Sequence, residues 1–353
     1  MSYKSISKNI VQWYDDNKTQ MPWRDIDDPY KIWLSEIMLQ QTQVTTVKEY
    51  YNRWIKRFPT IQDVADSSID EILKYWEGLG YYSRARNFHH ACKTVVLNGG
   101  TIPNNVKEFQ ELKGVGPYIA AAVQSIAFNI PVSVIDGNVN RIISRHNAYK
   151  ITPEKNKKSI LEYMDKIIDQ NRPGDFNQAV MDLGRYICKP RNPDCPHCPI
   201  NTTCVAFKKE TQEDYPVKIK KKPIPHYNVA VGIIYKGSKL LITKRKEDGL
   251  LGGLWEFPGG KIEKNETAKK AIQREIKEEL SIKIKTKNQI AQVEHKYSHF
   301  SVTINAIHCL YVSGDITLNG PTAYKWINFS DLSLYAFPKA SIKIFESIIV
   351  NII

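Results

Sequence analysis

Apolar residues recur at helical spacing over the first two hundred positions and alternate after residue 225. Ile6, Ile10 and Trp13 repeat every three or four residues, so the chain opens on an amphipathic helix. Pro22-Trp23-Arg24 interrupts the pattern. From Asp28 the run DPYKIWLSEIMLQQTQV places Ile32, Trp33, Leu34, Ile37, Met38 and Leu39 almost all the way round a helix. A helix apolar all round is buried. Further helices are expected over Asp63–Ile72, Ala85–Leu97 and Val106–Leu112, and two more between residues 155 and 187. No strand pattern of length precedes residue 225, and no repeat at a solenoid period occurs. The first domain, 1–187, is therefore expected to be all-α. Residues 205–225 carry KKETQEDYPVKIKKKPIP, without an apolar face, and read as a solvated linker. From His226 the period becomes two, and VAVGIIYKGSKLLITKRK reads as a β-hairpin turning near Gly237. A Glu/Lys-rich helix and the strand-like HKYSHFSVTINAIHCLYV follow, so 226–353 is expected to be an α+β domain.

Two acids stand out against this pattern. Glu36 is the only charge in its apolar helix, and burial there raises a carboxyl pKa because it disfavours the ionised form. Its residue type and place suit either an ion pair or a proton donor. Asp136 ends the segment ELKGVGPYIAAAVQSIAFNIPVSVIDGNVNR, Glu111–Arg141. Here Gly114 and Gly116 flank Val115 in a turn, where glycine permits positive φ. Pro117 suits a first helical position, and Ala120, Ala121 and Ala122 make a slim helix. Such a turn points N–H groups outward and can bind a phosphate without reading sequence. Asp136 itself reads as a helix N-cap, a role that leaves its carboxylate able to face a ligand.

Composition adds a partner class. The 353 residues suffice for two domains with real cores, and 42% hydrophobic content is ordinary. A formal net charge of +13 favours a polyanion. No apolar run is long enough for a membrane span, and MSYKSISKNIVQWYDD lacks the apolar core of a secretory signal, so a cytoplasmic protein is expected. Four of six cysteines, Cys188, Cys195, Cys198 and Cys204, follow C-x6-C-x2-C-x5-C over 188–204. Four thiols in one short loop suit a metal, and the spacing alone leaves zinc and a [4Fe–4S] cluster both open. Cys92 and Cys309 read as buried small hydrophobes. WEGLGYYSRARN joins Tyr81 and Tyr82 to Arg84 and Arg86, a mixture that suits unstacked bases and phosphates.

LKGVGPYIA resembles the helix-hairpin-helix of base-excision DNA glycosylases, IDGNVNR their catalytic-aspartate segment, and the helix around Glu36 the catalytic-glutamate helix of the MutY family. The cysteine spacing matches the iron–sulfur loop of the endonuclease III and MutY families, which implies a [4Fe–4S] cluster. Gly260, Glu266, Arg274, Glu275, Glu278 and Glu279 resemble the Nudix box of MutT-like pyrophosphohydrolases. Ser281 replaces that box's glycine, a change that negative φ would tolerate. Glu275, Glu278 and Glu279 fall on one helical face, and hard oxygen ligands suit Mg²⁺. The whole pattern implies a helix-hairpin-helix glycosylase domain with an iron–sulfur loop, joined to a Nudix-like domain.

By that resemblance Glu36 protonates adenine, Asp136 stabilises the sugar cation and Asn138 orients the carboxylates. Gln178 and Arg24 belong to the substrate-binding set, Gln41 enters the DNA stack and Tyr81 wedges beside the damaged base. Tyr297, Ser298 and His299 face 8-oxoguanine. Gly114, Val115 and Gly116 hold the DNA backbone, with Arg185, Lys189 and Arg191 around the cysteine loop as further backbone contacts. The implied partner is double-stranded DNA carrying adenine opposite 8-oxoguanine or guanine, bound by a monomer. Two rivals remain open: an endonuclease III-type lyase, whose lysine position holds Tyr118 here, and a DNA-damage binding protein without catalysis. For the second domain, nucleotide hydrolysis competes with pure recognition.

Overall fold

A computed structural model describes residues 3–218 and 223–352. The expected linker falls partly on residues 219–222, which lie outside the described residues. The chain forms two compact units: Met1–Asp66 with His90–Lys221, and Ser67–His89 with Lys222–Ile353. The helical segment bearing Tyr81 and Tyr82 thus clusters with the C-terminal part of the chain, a partition that helical periodicity does not reveal.

The first unit is helical. The opening helix Tyr3–Asn17 buries Ile6, Ile10, Val11 and Tyr14, with Trp13 only partly covered. These residues pack with Val139, Ile142, Ile160, Met164, Phe176, Val180 and Leu183 from later helices. The helix Pro29–Leu39 starts on Asp28, whose Oδ1 accepts from the N–H groups of Tyr30 and Lys31 at 3.0 and 3.3 Å. Asp caps and Pro at N1 both favour this start. Tyr30 and every residue from Ile32 to Met38 are buried, as the apolar circumference requires. The helix expected over Asp63–Ile72 divides into Ile61–Asp66, which belongs to this unit, and Ile69–Trp76, which belongs to the second. Ser68 caps the second piece by accepting from Glu71 N at 3.2 Å, so the local cap wins over continuous periodicity.

The linker is not solvated throughout. Val205–Lys208 is a short helix, and the carbonyls of Gln212 and Tyr215 accept from Nε of buried Arg145 at 2.8 and 3.0 Å. Those bonds satisfy a guanidinium that would otherwise be costly to bury.

The second unit is built on a mixed sheet of seven strands: β1 His226–Lys236, β2 Lys239–Lys244, β3 Trp255–Glu256, β4 Gly259–Lys261, β5 Lys283–Lys296, β6 Ser301–Ser313 and β7 Ala323–Ile327. The path is β3-β2-β1-β6-β5, with β4 on β1 and β7 on β2. Only β1 and β6 run parallel among these pairs; the register sets Val229 against Ile304. One face of the sheet packs with Ala271, Ile272, Ile276 and Leu280 of the helix Ala268–Leu280. The other packs with Ala340, Ile344 and Ile348 of a C-terminal helix Lys339–Ile352. The strand-dominated reading of the C-terminal part did not include that second helix.

Candidate active site

The helix Pro29–Leu39 delivers Glu36, the turn-and-helix Gly114–Phe128 delivers Tyr118, and the helix Gly137–Asn147 begins on Asp136. All three side chains line one cleft of about 1020 Å³, together with Arg24, Gln41, Asn138, Gln178, Met181, Asp182 and Arg185. The first unit therefore brings together every catalytic residue that the resemblance implied, with Arg24, Gln41 and Gln178 beside them.

Glu36 is 4% exposed. Burial pushes its carboxyl up to about 7, against the pull of the Tyr118 hydroxyl, which donates to Oε2 at 2.8 Å. Asp136, half-buried, likewise sits above its ordinary value because it is largely desolvated. Its hydrogen bonds oppose the shift: Val139 N–H donates to Oδ1 at 2.7 Å and the Asn138 amide to Oδ2 at 2.9 Å. Donated N–H bonds favour the charged form. The two acids thus differ in kind, one on a single phenol and one on a helix N-terminus with two N–H donors. Asn138 orients Asp136 alone, held in turn by Arg141 Nη2 donating to Oδ1 at 2.8 Å. Tyr118 performs that service for Glu36.

Two residues of the cleft were not foreseen. Asp182, 4% exposed, pairs with Arg24 at 2.7 Å. Arg185, expected at the cysteine loop, lines the catalytic cleft instead. The signal was available: Gln178, Met181, Asp182 and Arg185 are spaced i, i+3, i+4 and i+7, one face of the helix Pro173–Tyr186.

The glycine turn differs in detail from expectation. Gly114 has φ of +85°, but Gly116 is extended at −85° and serves as N-cap of Pro117–Phe128. Only Gly114 therefore needs glycine's freedom here. Gln41 and Tyr81, the two residues implied in filling the DNA gap, both occupy left-handed backbone at φ +56° and +47°. Non-glycine residues rarely do so, and such strain gathers at functional sites.

Cys188, Cys195, Cys198 and Cys204 line a second, small cavity in the first unit. Burial raises the Cys195 and Cys204 thiols and pushes Cys198 up to about 12. Arg145 Nη1 lies 3.4 Å from Cys188 Sγ. Among the described residues no three His, Cys, Asp or Glu side chains are placed to hold a single metal ion. Cys92 and Cys309 are buried, as read.

In the second unit Tyr81 and Ser298 share a hydrogen bond between their hydroxyls at 2.5 Å. Tyr297 stacks on Phe300 with centroids 4.7 Å apart. The Nudix-like helix holds its acids through Arg274, which reaches Glu266 and Glu275 at 2.9 Å and Glu278 at 3.3 Å. Glu279 turns into a cleft of about 570 Å³ beside Glu256 and Arg245, where burial and the neighbouring acids push it up to about 7. The three acids are therefore divided between a guanidinium and a cleft. Ser281 has φ of +59°, so the tolerance expected from negative φ does not apply; serine stands in strained left-handed backbone at the helix C-terminus. Among the described residues no helix is long and apolar enough to cross a membrane.

Residues 34–169 match the HhH-GPD superfamily base excision DNA repair protein model, and residues 229–347 the NUDIX domain model. The chain is 31% identical to adenine DNA glycosylase of Rattus norvegicus, over 97% of this chain and 78% of the relative. It is 33% identical to adenine DNA glycosylase of Buchnera aphidicola subsp. Baizongia pistaciae (strain Bp), over 97% and 96% of the two chains. A solved thermostable thymine-DNA glycosylase superposes with a TM-score of 0.55 at 29% identity, covering 59% of this chain and 97% of that one. Two domain matches in this order, with relatives aligned along nearly the whole sequence, lead to one conclusion: the chain belongs to the adenine DNA glycosylase family.

Proposed function

We propose that this glycosylase hydrolyses the N-glycosidic bond of adenine opposite 8-oxoguanine or guanine, without a lyase step. The observation that carries the reading is the pair of carboxylates in unlike settings, buried Glu36 and part-buried Asp136, lining one cleft. A base within a duplex is out of reach and must be extruded, at a cost of a few kcal/mol. Gln178 and Arg24 receive the adenine, while Gln41 and Tyr81 hold the gap. Glu36, protonated over much of the neutral range, gives its proton to the imidazole-ring nitrogen and turns a poor leaving group into a neutral one. Asp136 faces the cationic sugar, as carboxylates do in glycosidases. A lyase needs an amine to form an imine. Tyr118 cannot supply one, and its hydroxyl is engaged with Glu36.

The test is single-turnover adenine release from an adenine:8-oxoguanine duplex between pH 5 and 9, with and without alkali. Strand breaks are expected only after alkali, and release is expected to slow by about tenfold per unit above pH about 7 as Glu36 ionises. Cleavage without alkali would return the lyase reading. No free adenine would leave a binding protein.

The four loop cysteines suit a [4Fe–4S] cluster: all four line one cavity, and a buried guanidinium donates to Cys188. When bound, the cluster cross-links the loop through four thiolate bonds. Cys198→Ala is expected to strip iron and the brown chromophore and to weaken DNA binding. Zinc in the metal analysis of the parent protein would overturn the cluster while keeping the loop.

The segment 226–353 is inferred to read the opposite base through Tyr297, Ser298 and His299. The Tyr81–Ser298 bond supports this, since it joins two residues assigned to the same lesion. Mg²⁺ on Glu275, Glu278 and Glu279 would have to displace Arg274 from two of them. The full chain is therefore expected to release no pyrophosphate from 8-oxo-dGTP with millimolar Mg²⁺. Turnover abolished by Glu278→Gln would establish a second active site.

A further inference from the structure

Arg185 is the exposed member of the Gln178, Met181, Asp182, Arg185 stripe, so its guanidinium stands at the rim of the catalytic cleft. Its ion pair is loose: Nη1 lies 3.9 Å from Oδ1 of Asp182, whose other oxygen is paired with Arg24 at 2.7 Å. The guanidinium carbon sits 5.7 Å from the Tyr186 ring centroid, which restrains its direction. Its charge reaches inward and favours the ionised forms of Glu36 and Tyr118. Seven residues separate Arg185 from Gln178, about 10 Å along the helix axis. That distance resembles the span from a nucleobase to the phosphate of its own nucleotide. A guanidinium matches a phosphate with two parallel hydrogen bonds.

We propose that Arg185 anchors the backbone phosphate of the extruded nucleotide at the rim of the cleft. This rests on the reading of the cleft as a glycosylase site. With the base against Gln178 and the phosphate on Arg185, one helix face measures both ends of the flipped nucleotide. The family's hairpin turn grips the backbone elsewhere along the chain; Arg185 adds a contact specific to the nucleotide being processed.

The test measures duplex binding by the full chain in a Glu36→Gln background, so that the adenine stays in place. Adding Arg185→Gln is expected to weaken binding by roughly tenfold and to make the salt dependence shallower by about one unit. A neutral methylphosphonate at the phosphate flanking the target adenosine is expected to weaken the parent by a similar factor and the Arg185→Gln protein no further. Arg185→Lys restores charge without the planar fork and is expected to recover part of the loss. An unchanged salt slope, or methylphosphonate and Arg185→Gln losses that multiply, would overturn the proposal. Adenine release by the wild-type chain tests the glycosylase reading separately; if it failed, the methylphosphonate coupling would still decide whether Arg185 holds that phosphate.

Discussion

Glu36→Gln is expected to slow adenine release by at least about a hundredfold while duplex binding persists. The amide keeps the shape of the carboxyl and accepts from Tyr118, but it has no proton to give near neutrality. Release within tenfold of the parent would remove Glu36 as the proton donor. The same substitution should stabilise the fold, which ties the lost activity to the burial that creates it. The Glu36 carboxyl is raised from its ordinary 4.5 to about 7, so the folded state binds more protons than the unfolded state between those values. Its contribution is therefore complete below pH 4.5 and is lost as pH rises to about 7, a loss of about 3 kcal/mol at 1.36 kcal/mol per pKa unit. Glutamine does not ionise, so denaturant melts at pH 8 should show the variant as the more stable protein. At pH 4 the difference should nearly vanish. A variant less stable at pH 8 would mean that the ionised carboxylate is well solvated in the fold.

Asp136→Asn separates two roles that one residue holds at once. As a cap, Asp136 accepts from Val139 N–H, and asparagine caps helices about as well. As an electrostatic partner of the sugar cation, it must carry charge, and asparagine carries none. Single-turnover release is therefore expected to fall by about 10²–10³-fold, the scale of losing one preorganised charge partner. The melting transition should move little. It will move slightly because the second oxygen now accepts from Asn138, and an amide there puts one donor against another. If activity fell only in proportion to the folded fraction, the cap would be the whole function of Asp136.

Much of the site was legible because its residues announce themselves locally. Glu36 is conspicuous as one charge within an apolar circumference. Asp136 directly precedes the helix it caps, and the cysteines lie within one short loop. Tyr118's role is different. Its hydroxyl meets a carboxyl 82 positions away in sequence, and no spacing predicts that meeting. Asp182 reads in isolation as an acid on a helix; only its buried pairing with Arg24 gives it a place in the cleft. Arg185 was read from its neighbours in sequence as part of the cysteine loop. Three residues short of Cys188, a helix face has already turned it to the other site.

Local spacing by itself determined the class of most segments, the cap at Asp136, the change from period 3.6 to period two after residue 225, and the thiol set. These depend on interactions between residues a few positions apart, so the order of amino acids contains them. Tertiary structure decided the rest. It set which helix face each side chain occupies. It tied Gln212 and Tyr215 of the linker to Arg145, placed Ser281 at positive φ, and joined Ser67–His89 to the C-terminal unit. It also turned an ordinary glutamate into an acid near neutrality. Desolvation and through-space charge depend on everything that surrounds a group, and most of what surrounds Glu36 comes from distant parts of the chain.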